Sequence, residues 1–189
     1  MEPLSATQRG YSLVELAISV AILSVLMVVG LKGVQSMLTS GKVNDQTKTL
    51  AKLAATANAL FASSGTSGVT QAQMLKLGAW DVSKAINGNI TSSFGSLETI
   101  TPNANAIGVM AANTGFVYKI NSIPQAACAD LASGVAGFVY ALHVTGNPSV
   151  APADWTASVK PPGNANVSLT GLANSCNAAN SDFYMALKP

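Results

Sequence analysis

The apolar residues of this chain form one long run near the N-terminus, and a helical stripe follows it. The 19 residues Leu13–Leu31 hold few polar side chains, and Glu15 is the only charged one. This length is close to the roughly 20 residues that an α-helix needs to cross a bilayer. In Leu50–Phe61, apolar residues recur at spacings of three and four, which is typical of a helix with one buried face. We therefore predict one long helix over residues 11–63, with residues 11–31 as the membrane span.

Shorter patterns in residues 64–189 predict a globular α+β head. A short helix is expected from a cap at Thr70 to Gly78. A second helix has Ser122 or Ile123 near its cap and Pro124 in its first turn, and it ends at Gly134. The long N-terminal helix is expected to pack on an antiparallel sheet formed by this head.

Strands are predicted where apolar and polar residues alternate or where short apolar runs occur. They are expected over residues 106–111, 114–121, 136–145, 167–169 and 183–187. Residues 80–105 are expected to be loop with short strands. Turn residues at 113–115 predict that the first two strands pair as a hairpin.

Composition and charge exclude several functional classes. Charged residues are 10% of the chain, against roughly 25% in a typical soluble domain. The net charge is +2 without a basic cluster, so no nucleic-acid-binding surface is predicted. His143 is the single histidine, and its apolar neighbours favour a structural role. We predict no enzyme, no cofactor and no metal site, and we expect Trp80 and Trp155 in the core or in subunit contacts.

The two cysteines, Cys128 and Cys176, lie far apart in the sequence. One disulfide fits them better than a metal site, whose ligands usually come in close pairs. Two free thiols are the alternative. Because the N-terminus points to export, an oxidising compartment favours the bridge, which would bound residues 128–176.

The first ten residues are short and polar, and we predict that residues 1–10 are a leader that is removed. A secretory signal peptide would have a shorter apolar run and a positive start. A plain signal anchor gives no reason for Glu15, which costs about 2.5–3.5 kcal/mol inside a bilayer. Lysines follow the span while only Arg9 precedes it, so charge bias alone would place the head in the cytoplasm. The motif that begins at Gly10 points instead to export.

That motif resembles the processing site of type IV prepilins. It is the sequence Gly10-Tyr11-Ser12-Leu13-Val14-Glu15, preceded by Arg9. The resemblance implies that a prepilin peptidase cuts after Gly10, that Tyr11 becomes the methylated N-terminal residue, and that Glu15 is the fifth mature residue. It also implies the type IV pilin fold.

Within this family the chain is most similar to the type IVb pilins, as in toxin-coregulated, bundle-forming and conjugative thin pili. No proline lies between Tyr11 and Gln71, and Lys32 occupies the mature position where other pilins usually carry one. The wide cysteine spacing, and Pro124 ahead of Cys128, also fit type IVb. The ten-residue leader is shorter than is usual for that class.

The resemblance implies a major pilin that assembles with itself into an extracellular filament, from a precursor in the bacterial inner membrane. Its other partners would be the prepilin peptidase, the inner-membrane assembly machinery and, before assembly, the membrane. In the filament, the Glu15 carboxylate would pair with the Tyr11 amine of a neighbouring subunit. The alternatives are a minor pilin or type II secretion pseudopilin, and a membrane-anchored periplasmic binding or enzymatic domain. The role of such a pilus would be adhesion, aggregation or conjugative mating.

Overall fold

The structure, a computed structural model, describes residues 12–62, 65–81, 84–86, 88–146, 152 and 154–188. The chain divides into two compact units, residues 1–38 and residues 39–189. Helix α1, Leu13–Phe61, begins in the first unit and ends in the second. We call residues 39–189 the body.

The body contains one antiparallel sheet of six strands and, among the described residues, three further helices. The helices are α2 (Gln71–Lys76), α3 (Gln125–Val135) and α4 (Leu169–Ser175). The strands are β1 (Ala85–Ile86), β2 (Asn89–Thr91), β3 (Leu97–Pro102), β4 (Phe116–Pro124), β5 (Ala141–Thr145) and β6 (Asn180–Leu187). They lie in the order β1-β2-β3-β4-β6-β5, so that the last strand in the sequence occupies an interior position in the sheet.

One face of the sheet is covered by α1 and α3, as the apolar pattern predicts. Within the body, the buried residues of α1 recur at spacings of three and four: Val43, Gln46, Leu50, Leu53 and Ala57. They share one core with the inward side chains of the strands. Helix α3 approaches α1 closely at Gly134, where an added methyl group would lie 3.0 Å from the Thr47 hydroxyl. A glycine at this position therefore sets the spacing of the two helices.

The other face of the sheet is covered by loops. A second, smaller apolar cluster forms there from Ile107, Met110, Ala141, Trp155, Tyr184 and Ala186. Trp80 is buried in the main core and Trp155 in this second cluster. Both tryptophans thus lie in the protein interior, which was one of the two locations expected for them.

The predicted strand over residues 106–111 is wrong. Ile107 and Met110 exchange two backbone hydrogen bonds, so the chain reverses between them instead of extending. Gly108 adopts a positive φ of 58° in this turn, a conformation that glycine reaches without strain. The hairpin partner of β4 is β3, not residues 106–111.

Several other boundaries differ from the sequence prediction; β6, for example, starts at Asn180 instead of residue 183. Residues 167–169 do not form a strand: α4 begins at Leu169, and the Ser168 side chain caps it by accepting a hydrogen bond from the Gly171 N–H. Ser122 and Ile123 belong to β4, and α3 starts after Pro124. Strand β5 starts at Ala141 instead of residue 136, because the chain first turns back after α3.

The N-terminal cap of α2 is at Thr70, as predicted. The Thr70 side chain accepts a hydrogen bond from the Gln73 N–H, and the Gln73 side chain accepts one from the Thr70 N–H. Met74 is the buried residue of this helix, whereas Leu77 is half exposed. Six residues are too few for the periodicity to show which face is buried.

A buried carboxylate joins α1 to the sheet. Glu98 of β3 is 1% exposed. Its two oxygens accept hydrogen bonds from the Gln46 amide of α1, at 2.5 Å, and from the Trp80 indole, at 3.2 Å. The Gln46 oxygen in turn accepts the Ser93 N–H at 2.9 Å. This network fixes α1 against both β3 and the turn before it.

Burial raises the pKa of Glu98, although hydrogen bonds from its neighbours and the charge of Lys84 oppose the shift. Loss of water around the ionised form is the dominant cause. The same carboxylate affects Tyr118, which is fully buried: desolvation, and then the charge of Glu98, raise the pKa of that phenol. The free-energy cost of burying the Glu98 carboxyl group therefore depends on pH.

We expect acid to increase the stability of the wild type relative to Glu98→Gln. A folded-state pKa above the unfolded value adds stability that is fully present below the unfolded pKa and is lost as the pH rises through the folded pKa. Urea unfolding of the detergent-solubilised chain from pH 4 to pH 8 measures the difference in unfolding free energy. A difference that stays constant with pH contradicts this expectation.

A second variant leaves the carboxylate in place. Trp80→Phe removes one hydrogen bond to the ionised form of Glu98, so the pH dependence should move to higher pH. Because phenylalanine does not titrate, any such shift in the pH dependence of stability comes from the titration of Glu98.

Candidate functional site

The helix surface of the first unit is apolar over Leu13–Leu31 except at Glu15 and two serines. Among the described residues, α1 is the one helix that is long and apolar enough to cross a membrane. Its large apolar side chains between Leu13 and Leu38 are 55–84% exposed. A helix that is apolar all round must be covered by lipid or by other apolar helices. This surface is the first element of the candidate site.

Two serines of this segment bond to backbone carbonyls of their own helix. The Ser19 hydroxyl donates to the Glu15 backbone carbonyl at 2.9 Å, and the Ser24 hydroxyl donates to the Ala21 carbonyl at 2.7 Å. Serine hydroxyls that bond back to the helix in this way need no outside partner. The Glu15 carboxylate, in contrast, has no hydrogen-bond or ion-pair partner among residues 12–62 or elsewhere in the described chain.

Glu15 lies in the first turn of α1. A negative charge there is favoured by the positive end of the helix dipole, by about 0.3–1 kcal/mol. This gain is smaller than the cost of about 2.5–3.5 kcal/mol for a charge inside a bilayer. Inside a bilayer, a charged Glu15 would therefore need a cationic partner. Gly10 and Tyr11, the predicted processing and pairing residues, lie outside the described residues.

Cys128 and Cys176 form a disulfide, with their Cα atoms 5.7 Å apart. Cys128 is fully buried in α3, and Cys176 is the C-terminal cap residue of α4. The bridge therefore joins two helices and closes a segment with a sequence separation of 48 residues. This pairing agrees with the disulfide expected from the sequence.

A buried lysine holds the same region together, and sequence reasoning missed it. Lys160 is 5% exposed, and its ammonium donates hydrogen bonds of 2.6 Å to the Ala136 and Val139 carbonyls. These carbonyls follow the end of α3, where a cation is favourable. Burial lowers the pKa of Lys160. No motif predicts this contact, because its partners are backbone atoms more than 20 residues away in the sequence.

The other ionisable side chains do not form a catalytic arrangement in the described part of the chain. His143 is half-buried on β5 beside Tyr184, with ring centroids 6.3 Å apart, and burial lowers its pKa. Asp182 pairs with Lys119 at 3.3 Å and accepts the Ser122 N–H in the bulge of β4. Within the described residues, no three His, Cys, Asp or Glu side chains are grouped as metal ligands would be.

Comparison with known proteins connects this geometry to a family. A family profile described as the prokaryotic N-terminal methylation motif matches residues 5–31. The crystal structure of TcpA, a type IV pilin from Vibrio cholerae El Tor biotype, is similar, with a TM-score of 0.53 and 19% identity. The match covers 77% of this chain and 98% of that one.

A second solved structure, the type IVb pilin from Salmonella typhi, has a TM-score of 0.53 and 16% identity. It covers 77% of this chain and 99% of that one. No curated protein matches the sequence. At these identities the structural matches establish the fold, and the motif is a separate finding from the sequence.

Together these findings confirm the predicted resemblance to type IV pilins, with a type IVb-like fold. They also confirm the fold class: a long N-terminal helix on an antiparallel sheet. Both similar structures are described as type IV pilins.

Removing the disulfide should destabilise the body strongly. The Cys128→Ser/Cys176→Ser variant loses the constraint on a loop of 48 residues, which is equivalent to about 4 kcal/mol in the chain-entropy treatment. Chemical denaturation of the full chain in detergent measures the loss. Adding a reductant should lower the wild-type midpoint to that of the variant and leave the variant unchanged. Equal midpoints without reductant would show that the bridge does not stabilise the body.

Proposed function

We propose that this type IV pilin-like chain is the major structural subunit of a type IVb-like pilus. The observation that carries the proposal is the apolar surface of α1 with one unpartnered carboxylate, Glu15. A filament core built from many copies of this helix would cover that surface as completely as lipid does. The similar structures, which are pilins, support self-assembly.

Processing supplies the partner that Glu15 lacks. Cleavage after Gly10 would give Tyr11 a free α-amine, whose pKa in water is about 7.7–8.0. Within one helix, Tyr11 and Glu15 are at i and i+4, so an internal pair is possible. In the filament, the carboxylate of one subunit would meet the amine of its neighbour. Because only one axial stagger satisfies both charges, this pair would set the register of assembly.

The same apolar surface explains the route from precursor to filament. Before assembly, residues 11–31 would anchor the protein in the inner membrane, with the body on the periplasmic side. Moving the helix from lipid into a bundle of similar helices exchanges one apolar environment for another, so little of it meets water. The prepilin peptidase and the inner-membrane assembly machinery would act on this membrane-anchored form. The exported filament would serve adhesion, aggregation or conjugative mating.

Gly10→Ala should prevent cleavage and leave the precursor in the membrane without filaments. Mass spectrometry of the N-terminus measures this directly: we expect the wild type to begin at a methylated Tyr11 and the variant to keep residues 1–10. Filaments at normal yield from an uncleaved variant would contradict the proposal.

Glu15→Ala should be processed normally but should assemble poorly, because the Tyr11 amine then has no carboxylate to pair with. We expect the amount of sheared filament to fall by about tenfold or more, which corresponds to 1.4 kcal/mol or more per subunit. Ser19→Ala is the matched control, since its hydroxyl bonds only to its own helix. If both variants assemble alike, Glu15 has no role in register.

The number of copies separates a major pilin from the alternatives. One dominant band of this protein in purified filaments supports the major subunit, whereas a trace amount indicates a minor pilin or a pseudopilin. A monomer that retains residues 1–10 indicates a membrane-anchored periplasmic domain.

A further inference from the structure

The sheet has two edges, β1 on one side and β5 on the other. An open edge strand presents unpaired N–H and C=O groups that can pair with another chain. Strand β1 has two residues, which are too few to form a stable ladder with a neighbour. Strand β5 has five residues, Ala141–Thr145, and none of them is a proline, an acidic residue, a lysine or an arginine. Its own sequence therefore does not protect it from pairing.

A short segment lies along the outer side of β5, where a further strand would otherwise pair. Lys160 and Leu142 exchange two backbone hydrogen bonds of 2.9 Å, in an isolated antiparallel bridge. The next two residues are Pro161 and Pro162. A proline has no N–H, so the segment offers no backbone donor at these two positions to another chain. We call residues 158–162 the strap.

Side chains hold the strap more firmly than these two backbone bonds alone would. The Lys160 ammonium donates hydrogen bonds of 2.6 Å to the Ala136 and Val139 carbonyls, which follow the end of α3. Hydrogen bonds from a charged donor are stronger than those between neutral groups. Val159 is buried in the main core, and its carbonyl accepts the Ser168 N–H at 2.7 Å. The strap is thus fastened to α3, to the core and to the start of α4.

The burial of Lys160 is the feature that calls for an explanation. Its side chain is 5% exposed, and within the described residues the ion pair found is Lys119 with Asp182, so no carboxylate neutralises its ammonium. Burial lowers the pKa of Lys160, which shows that its surroundings oppose the charge. A buried cation of this kind requires hydrogen-bond acceptors, and the two carbonyls supply them. The position of the strap and that of the end of α3 are therefore fixed together.

We propose that Lys160 closes the edge of the sheet: its ammonium holds the strap across β5, so that β5 cannot pair with a strand of another molecule. The two edges would then be protected in different ways, β1 by its short length and β5 by the strap. The inference concerns one folded subunit and does not depend on the proposed filament. Where many copies lie side by side, a closed edge keeps their bodies from joining strand to strand.

Hydrogen exchange tests whether the ammonium holds the strap. Lys160→Met keeps the apolar stem of the side chain and removes the ammonium. Mass spectrometry of short peptides from the full-length protein in detergent reports the amides of Leu142 and Lys160, which both donate in the bridge. We expect both to exchange at least about tenfold faster in the variant, while β4 and β6 keep their wild-type rates. Unchanged exchange at both amides overturns the proposal, because the strap would then stay in place without the ammonium.

A peptide probe tests whether the strap closes the edge. A fluorescent peptide with the sequence of residues 139–146 should bind the Lys160→Met variant at least about tenfold more tightly than the wild type. The same peptide with N-methylated backbone amides cannot donate ladder hydrogen bonds and should bind neither protein. If the amides of the variant exchange faster but it binds the first peptide no better than the wild type does, the edge is not closed by the strap and the proposal fails.

Two further variants separate the loss of this ammonium from a general effect of charge or of folding. Lys76→Met removes an exposed lysine of α2 and should leave exchange and peptide binding unchanged. Lys160→Arg keeps a cation that can donate to both carbonyls, so the Leu142 amide should keep its wild-type rate. This variant decides the matter if Lys160→Met also loses protection in β4 and β6. Wild-type rates in those two strands with fast exchange at Leu142 in Lys160→Arg would contradict the role of the cation.

Discussion

The fold depends on one helix, α1, whose two parts have different surroundings. Up to Leu31, the surface of α1 is apolar except at Glu15 and two serines, and it needs lipid or other helices around it. From Val43 onward it buries a single face against the sheet and leaves the other polar. A free-energy gain of about 25 cal/mol per Å² of buried apolar surface favours covering the first part by any apolar partner. For the second part, the same gain favours one specific position against the sheet.

The position of α1 against the sheet is defined by polar contacts as much as by packing. The Gln46 amide of α1 reaches the Glu98 carboxylate of β3 in one position of the helix only. Leaving either group buried without its partner costs about 1–3 kcal/mol. The close approach of Gly134 to Thr47 adds a second constraint, from the α3 side. These contacts therefore fix the rotation and the axial position of the part of α1 that packs on the sheet.

The parts of this fold that follow from local patterns could be predicted, and the parts that rest on distant contacts could not. The buried residues of α1 recur at spacings of three and four from Val43 to Ala57, and burial alternates along β4. In contrast, α4 has seven residues, too few for a period to show. The network at Glu98 joins residues 18 and 52 positions apart, and no spacing indicates it. The motif at Gly10 could be found because it is a short continuous segment of the sequence.

The position of β6 in the sheet has a consequence for the order of events in synthesis. Strand β6, Asn180–Leu187, lies between β4 and β5 and pairs with both. Until those residues leave the ribosome, β5 lacks its neighbouring strand and the main core lacks Phe183 and Met185. The α1 segment, by contrast, is available to a membrane as soon as it is made. The helix that is long and apolar enough to cross a membrane is thus synthesised well before the residues that complete the sheet.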